Sequence, residues 1–232
     1  MATQERRSRR KAAFIAGTIG VLLALAAIQY GPELLGYYRF EQSLNRIVAS
    51  DTADAGAFPR LPDNCVVCHG FNGNPVNTIY PKLAGQPASY LEAQLRAFAT
   101  GQRANPTMGP MALSLTDAEL RQVADYFSRQ RPTEASGPAP DTAQRERAIA
   151  LVTRLSCAAC HGADLAGHDQ FARLAAQNAG YLAQQLEAFK RRERKDPTGV
   201  MNVIADSLTT QDVLDVARYL AHPERGSRGQ SP

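Results

Sequence analysis

The sequence has no tryptophan, and phenylalanine and tyrosine make up only 7% of its 232 residues. It also has no excess of positive charge outside its first residues, although the whole chain carries a formal net charge of +4. Residues 1–11 hold five of the 26 basic and one of the 22 acidic residues, so the remaining chain carries 21 of each. A neutral body of this kind argues against nucleic acid as a partner. The hydrophobic share of 44% argues against disorder along the whole chain.

Segments in which apolar and polar residues alternate are also missing, so no β-strand is predicted. Apolar residues instead recur at helical spacing, and the predicted fold class is all-α. The stripe Leu91, Leu95 and Phe98 has a copy in Leu182, Leu186 and Phe189. Thr116 with Glu119 and, less clearly, Thr209 with Asp212 mark helix starts, while Gly101 marks a helix end.

A single long apolar run, residues 12–28, follows the basic amino terminus. This order is typical of an export signal. The run has 17 residues, the lower end of the length that spans a bilayer, and Tyr30, Tyr37 and Tyr38 behind it suit the membrane interface. We therefore expect a membrane anchor. The sequence Ala24-Leu25-Ala26 leaves a cleaved signal peptide as the alternative.

No cysteine is left over from two short motifs, so any disulfide would disrupt one of them. The motifs are Cys-Val-Val-Cys-His at 65–69 and Cys-Ala-Ala-Cys-His at 157–161. Cys-x-x-Cys-His is the attachment signal of a c-type haem. Its two thiols lie on one helical turn and can each bond the same porphyrin, and the next imidazole then reaches the iron from the same side. We expect two covalently bound haem c groups, held by Cys65 and Cys68 and by Cys157 and Cys160.

Two other uses of Cys-x-x-Cys are less consistent with this sequence. A thioredoxin-like redox pair does not need the histidine, and it occurs in a βαβ pattern that this chain lacks. A zinc site would need a fourth ligand for each cysteine and histidine set, and the sequence does not obviously supply one.

The two motifs belong to an internal repeat, since they begin 92 residues apart and similar strings follow both. Leu83-Ala-Gly-Gln86 corresponds to Leu174-Ala-Ala-Gln177, and Tyr90–Phe98 corresponds to Tyr181–Phe189. We predict six segments: a signal or anchor (1–30), a connecting segment (31–59), a first haem domain (60–131), a linker rich in proline and small residues (132–141), a second haem domain (142–223) and a tail (224–232).

The second axial ligand of each iron decides the function, because a six-coordinate iron carries electrons whereas an open position permits ligand binding or catalysis. His69 and His161 supply the first ligand. Met201, 40 residues after His161, is the only methionine of the second domain. Met108 lies 39 residues after His69, with Met111 as its competitor. The repeat register favours Met108, so we expect Met108 and Met201 as ligands and Met111 as core filler.

Two histidines and one basic run lie outside this pattern. We expect His168 and His222 to be exposed to solvent. The run Lys190–Lys195 is expected to place favourable charge at a helix carboxyl terminus, and docking of an acidic redox partner is the alternative.

The residues resemble the cytochrome c4 family, dihaem proteins made of two tandem class I cytochrome c domains. The resemblance covers about residues 60–223. It rests on these strings: Cys65–Gly70, Asn72-Gly73-Asn74, Pro81–Gln86, Tyr90–Leu95 and the methionine loop before Leu115-Thr116. It implies all-α domains about a pseudo-two-fold axis, with the haem propionate edges facing each other.

The resemblance also implies His/Met ligation, by His69 with Met108 and by His161 with Met201. In such domains the carbonyl of a proline commonly accepts a hydrogen bond from the ligand histidine. Pro81 is the matching residue here, and the second half has Ala172 at that position.

The same resemblance implies an electron carrier in the bacterial periplasm, and the apolar run 12–28 is expected to tether it to the membrane. Its redox partners would be a quinol-oxidising complex or a dehydrogenase as donor and a terminal oxidase or other acceptor. Three alternatives stay open: a dedicated electron-transfer subunit of a dehydrogenase or oxidase complex, a dihaem peroxidase with one iron lacking methionine, and a non-redox scaffold.

Overall fold

The computed structural model describes residues 17–21, 24, 26–31, 34–39, 41, 42, 45, 60–134 and 137–223. The chain divides into two compact units, Met1–Phe58 and Pro59–Pro232. The described residues of the first unit are helical. Within the described part of the chain, no helix combines the length and apolar content needed to cross a bilayer. Much of the predicted anchor and the whole of the tail lie outside the described residues, so both stay predictions.

The second unit contains both halves of the repeat. The first half comprises a 3₁₀ helix at Leu61–Cys65, α1 (Val66–His69), a 3₁₀ helix at Phe71–Gly73, α2 (Ala88–Ala99), α3 (Met108–Leu113) and α4 (Asp117–Arg129). The second half comprises α5 (Thr142–Arg154), α6 (Cys157–His161), α7 (Ala179–Lys190), α8 (Val200–Asp206) and α9 (Thr210–Ala221). No strand occurs in residues 60–134 or 137–223, where only an isolated bridge pairs His168 with Phe171. The all-α prediction is confirmed.

The helix starts and the helix end predicted from the sequence coincide with helix termini in the structure. The Thr116 side chain accepts a hydrogen bond from the backbone of Glu119, whose carboxylate accepts one from the Thr116 backbone at 2.7 Å. Thr209 and Asp212 make the same reciprocal pair at the start of α9. Gly101 follows α2 with a φ of +73°, a conformation that glycine adopts without strain. Both predicted capping boxes and the helix end are confirmed.

The core of each half lies where its last helix packs on earlier ones. In the first half α4 packs against α2, and in the second α9 packs against α5 and α7. Leu91, Leu120, Val123 and Phe127 are buried in the first core. The second core is built from these buried residues: Leu151, Leu165, Ala175, Leu182, Leu208, Val213, Val216, Ala217 and Leu220. Leu91 and Leu182, the first residues of the two apolar stripes in the sequence, are therefore both buried in the core of their half.

The two halves differ in how the chain enters the cysteine motif. In the second half the 13-residue helix α5 leads to it, whereas in the first half only the five-residue 3₁₀ helix at Leu61–Cys65 precedes it. Proline lacks a backbone N–H and is tolerated only in the first turn of a helix. Pro62, the second residue of the 3₁₀ helix, therefore marks where this helix starts.

Candidate functional site

Each motif histidine is buried, and its Nδ1 donates a hydrogen bond to a backbone carbonyl of the same half. The distance is 3.0 Å from His69 to Pro81 O and 2.8 Å from His161 to Ala172 O. A carbonyl oxygen can only accept, so Nδ1 carries the proton and Nε2 keeps its lone pair. Burial lowers the pKa of both imidazoles, which favours the neutral form that ligates metals. The hydrogen bond to Pro81 is confirmed, and Ala172 takes the same role in the second half.

An aromatic ring stands beside each of these histidines. The ring of Tyr80 meets His69 edge-on with a centroid distance of 6.3 Å, and Phe171 meets His161 at 6.3 Å. Each aromatic residue directly precedes the residue whose carbonyl accepts the histidine hydrogen bond. One short segment therefore fixes both the plane and the tautomer of each imidazole.

The cysteines lie on the same short helical turns as the histidines. Cys68 and His69 belong to α1, Cys65 ends the preceding 3₁₀ helix, and α6 contains the whole second motif. No disulfide joins any of the four cysteines, and all four side chains are half-buried. Burial, with a smaller contribution from Asp63, raises the pKa of Cys65 to about 11. Burial also raises the pKa of Cys157. A reactive thiol of a thioredoxin-like pair needs a lowered pKa, so Cys65 and Cys157 do not suit that role.

The candidate methionines lie at the beginning of short helices, not in loops as their flanking prolines and glycines suggest. Met108 is the first residue of α3 and Met201 the second of α8, and both are half-buried. The α3 helix packs against α2, and α8 packs against α7 in the same way. Met111 is 43% exposed, so the expectation that it fills the core is wrong. Each half thus offers two thiols, one neutral imidazole and one half-buried thioether, a donor set that fits a c-type haem.

The remaining histidines do not form a metal site. In residues 60–134 and 137–223, no three His, Cys, Asp or Glu side chains lie close enough together to hold a metal ion. His168 is exposed, as expected, with Nδ1 at 3.1 Å from an Asp169 carboxylate oxygen. The expected exposure of His222 is wrong, because this residue is half-buried, and its Nε2 has no hydrogen-bond partner among the residues that the structure describes. Burial lowers the pKa of His222.

The basic run Lys190–Lys195 contributes a contact between the two halves. Arg194 Nη2 donates to Tyr90 Oη at 3.1 Å and to Gln94 Oε1 at 3.0 Å, both in the first half. Its guanidinium also lies 4.6 Å from the centre of the Phe189 ring. Lys190 Nζ donates to Leu208 O, a bond within the second half. Lys190 and Arg194 are thus engaged within the protein, whereas Arg191, Arg192, Glu193 and Lys195 are exposed, so docking of an acidic partner stays an alternative.

Arg103 makes the mirror-image contact from the first half. Its Nη2 donates to Tyr181 Oη at 2.9 Å and to Gln185 Oε1 at 2.8 Å, and it lies 4.5 Å from the centre of the Phe98 ring. Arg103 and Arg194 are 91 residues apart, as are their tyrosine partners. The two halves therefore meet across a pseudo-two-fold axis.

Two glutamines form a second pair of symmetric contacts between the halves. Gln177 Oε1 accepts from Lys82 N at 2.7 Å, and Gln177 Nε2 donates to Lys82 O at 2.8 Å. Gln86 Oε1 accepts from Arg173 N at 2.9 Å, and Gln86 Nε2 donates to Arg173 O at 2.9 Å. Each side-chain amide thus binds both backbone groups of one residue in the opposite half.

Comparison with known proteins agrees with this arrangement. A family model described as cytochrome c matches residues 59–130 and 146–223. The cytochrome c4 of Thiocapsa roseopersicina is 38% identical over 165 residues, 67% of this chain and 85% of that protein. The chain belongs to the cytochrome c4 family. A solved structure of cytochrome c4 from Acidithiobacillus ferrooxidans, 38% identical, superposes with a TM-score of 0.61 over 68% of this cytochrome and 98% of that chain.

A third relative carries a different description. A thiosulfate dehydrogenase electron acceptor from Thiomonas intermedia is 36% identical over 180 residues, 73% of this cytochrome and 82% of that protein.

Membership of the family makes this cytochrome a dihaem electron carrier, not an enzyme, and its two Cys-x-x-Cys-His motifs each bind one haem c covalently.

Sequence reasoning missed three pairs of residues around the two sites: Tyr80 with Phe171, Gln86 with Gln177, and Arg103 with Arg194. All three pairs keep the same spacing of 91 residues. An alignment of the two halves could have shown the matching positions. It could not have shown that the two glutamines and the two arginines each bind the opposite half.

Proposed function

We propose that His69 and Met108 ligate one iron of this dihaem carrier and that His161 and Met201 ligate the other. One observation carries the proposal: each half has a buried imidazole with a free Nε2, followed by a half-buried methionine at the start of a short helix. The bound haem supplies a one-electron centre. The protein holds it through the cysteines, and the carbonyls of Pro81 and Ala172 keep each imidazole neutral and oriented.

Ligation by methionine at both irons separates the carrier from a dihaem peroxidase, which needs one open iron. The test measures the ferric sulfur-to-iron charge-transfer band in the purified holoprotein, together with the haem count by pyridine haemochrome. We expect two haems per chain. Met108→Ala and Met201→Ala should each remove the share of the band that belongs to one haem, whereas the matched control Met111→Ala should leave it intact. A band that persists in Met201→Ala contradicts the assignment.

For the partners, we propose a dehydrogenase as electron donor and a terminal oxidase as acceptor, with a quinol-oxidising complex as the other candidate donor. The relative described as a thiosulfate dehydrogenase electron acceptor supports the first donor. Stopped-flow mixing of the oxidised holoprotein with thiosulfate dehydrogenase and thiosulfate should reduce both haems. If only the quinol-oxidising complex reduces them, the dehydrogenase proposal is wrong. Co-purification in a fixed ratio would make the protein a dedicated subunit.

We further propose that the protein works in the bacterial periplasm, tethered by residues 12–28. The basic residues before the apolar run and the three tyrosines behind it support this orientation. Cell fractionation with an alkaline wash should leave the haem protein in the membrane pellet, and the intact mass should include residues 12–28. A mature protein that begins after Ala26 would instead establish a cleaved signal peptide.

A further inference from the structure

The hydrogen bond of each motif histidine ends on a peptide group that the opposite half also binds. The peptide group between Pro81 and Lys82 accepts at its oxygen from His69 Nδ1 at 3.0 Å and donates from its N–H to Gln177 Oε1 at 2.7 Å. A continuous chain of two hydrogen bonds therefore runs from an imidazole in the first half to a side-chain amide in the second.

The second half repeats this chain in the opposite direction. The peptide group between Ala172 and Arg173 accepts from His161 Nδ1 at 2.8 Å, and its N–H donates to Gln86 Oε1 at 2.9 Å. The arrangement is crossed, because each half supplies the glutamine that serves the histidine of the other.

Both glutamines are held in one orientation. Gln86 is 5% exposed and Gln177 is 3% exposed. The Nε2 of each donates to the carbonyl of the same residue whose N–H its Oε1 accepts, at 2.9 Å for Gln86 and 2.8 Å for Gln177. Turning either amide over would place a donor against a donor, so the Oε1 atoms stay on the peptide N–H groups.

Such a chain has an electronic consequence. Hydrogen bonds in series polarise one another, and they do so more strongly where water is excluded. A peptide whose N–H is bound is a stronger acceptor at its oxygen, and a stronger acceptor at Nδ1 raises the basicity of a metal-ligating imidazole. A more basic imidazole stabilises ferric over ferrous iron, which lowers the reduction potential.

We propose that Gln177 and Gln86 are positioning residues that lower the reduction potential of the haem in the opposite half. Gln177 acts on the haem held by His69, and Gln86 acts on the haem held by His161. The reduction potential of each haem thereby depends on the contact between the two halves. The proposal rests on the histidine ligation proposed above.

The test is a redox titration of the full holoprotein, followed by NMR so that each haem is read separately. Gln177→Met removes the acceptor while keeping the side-chain length. We expect it to shift the ferric–ferrous equilibrium of the first-half haem about threefold toward ferrous, or about 28 mV upward by the one-electron conversion, with the second-half haem unchanged. Gln86→Met should raise the potential of the second-half haem by a similar amount and leave the first-half haem unchanged. Gln177→Glu keeps an acceptor oxygen and should restore the wild-type potential or lower it.

Matched controls loosen the same interface without touching either peptide group. Tyr181→Phe and Tyr90→Phe remove the hydroxyls that bind Arg103 and Arg194. A looser interface admits water, which stabilises the more highly charged ferric state and lowers both potentials. If the methionine variants behave like these controls, or leave both potentials unchanged, the proposal is wrong. In the same samples, the His69 Nδ1–H proton resonance should move upfield in Gln177→Met, since its hydrogen bond weakens.

The haem count and the charge-transfer band, recorded for the wild type and every variant, keep two failures apart. A wild type without the methionine band overturns the ligation proposed above. Variants that keep two haems and the full band, but whose potentials do not change in the crossed pattern, overturn only the role of the glutamines.

Discussion

Arg194 donates a hydrogen bond to the Tyr90 hydroxyl of the opposite half at 3.1 Å, while its guanidinium lies over the Phe189 ring of its own half. This arginine is the fifth residue of a run whose sequence indicates a solvated helix end. Arg191 and Arg192, three and two residues earlier, do conform to that pattern, since Arg191 pairs with Glu193 and Arg192 pairs with Asp206 at the surface. Arg194 therefore joins the two halves, whereas Lys190, Arg191 and Arg192 bond within the second half.

Replacing this arginine tests how much the contact stabilises the pair of halves. Arg194→Leu should lower the free energy of unfolding by about 2 kcal/mol, because hydrogen bonds from a charged donor are lost in a partly desolvated site. Tyr90→Phe should cost only about 1 kcal/mol, since it removes one neutral acceptor. Denaturant titration of the holoprotein measures both. The double variant should lose less than the sum, and strict additivity would mean that the two residues do not interact in solution.

The glycines that follow the two motif histidines should differ in their tolerance of a side chain. Both have positive φ, +70° at Gly70 and +82° at Gly162, so alanine is strained at either position. At Gly70 a Cβ would also overlap the Asn74 carbonyl oxygen, whereas at Gly162 its nearest neighbour is His168 Cδ2 at 3.7 Å.

We therefore expect Gly162→Ala to cost about 1–3 kcal/mol for backbone strain alone. Gly70→Ala should cost clearly more and should reduce the yield of protein carrying two haems. Thermal unfolding and the haem count measure both effects. Equal losses in the two variants would contradict the predicted overlap at Gly70.

One asparagine in each half bonds the segment that carries the candidate methionine. The two asparagines differ in burial and in their number of hydrogen bonds. Asn202 is buried, donates to Phe189 O at 2.8 Å and to Arg194 O at 2.9 Å, and accepts from Asp196 N at 3.1 Å. Asn105 is exposed and accepts from Met108 N at 2.8 Å.

Asn202→Ala leaves several buried groups without a partner, so it should destabilise the protein by about 2–3 kcal/mol. Asn105→Ala removes a cap at the surface and should cost about 1 kcal/mol or less. The methionine charge-transfer band of each variant, followed during heating, should disappear earlier in Asn202→Ala. The opposite order would mean that Asn202 does not hold the second methionine segment.

Acid should weaken the segment that leads into the first motif. Arg60 Nη2 lies 2.8 Å from Asp63 Oδ1, and hydrogen bonds from the Arg60 side chain hold the pKa of Asp63 below its ordinary value of 3.8. A carboxyl with a lowered pKa in the folded state stabilises the protein above its ordinary pKa, and this stabilisation is lost as the pH falls through the lowered value.

The measurement compares the wild type with Arg60→Met. The wild type should be more stable near neutral pH, and the difference in unfolding free energy should narrow as the pH falls below about 4. Asp63→Asn is the matched control. The difference in unfolding free energy between the wild type and Asp63→Asn should also become smaller as the pH falls below about 4. A difference that stays constant across the acid range would mean that the ion pair does not titrate with folding.

The sequence predicts what is local in this fold. Thr116 and Glu119 are three residues apart, so their reciprocal bonds follow from the helix start itself, and the same holds for Cys65, Cys68 and His69. Pairings between the halves were not predictable in this way. A repeat shows that Gln86 and Gln177 occupy equivalent positions, but equivalence does not reveal what either touches. The contact of Arg194 with the first half could not be read from the sequence, because Tyr90 and Gln94 lie 104 and 100 residues earlier in the chain.

The doubled arginine–tyrosine and glutamine–backbone contacts have an evolutionary implication. Each half carries both sides of the contact, as in an isologous dimer, so one copy contains all the groups needed to pair with another copy of itself. A single-haem ancestor with these residues would already have formed the present interface as a homodimer. Fusing two copies of such a gene would require no new surface, only a linker to keep two self-complementary partners at a fixed stoichiometry.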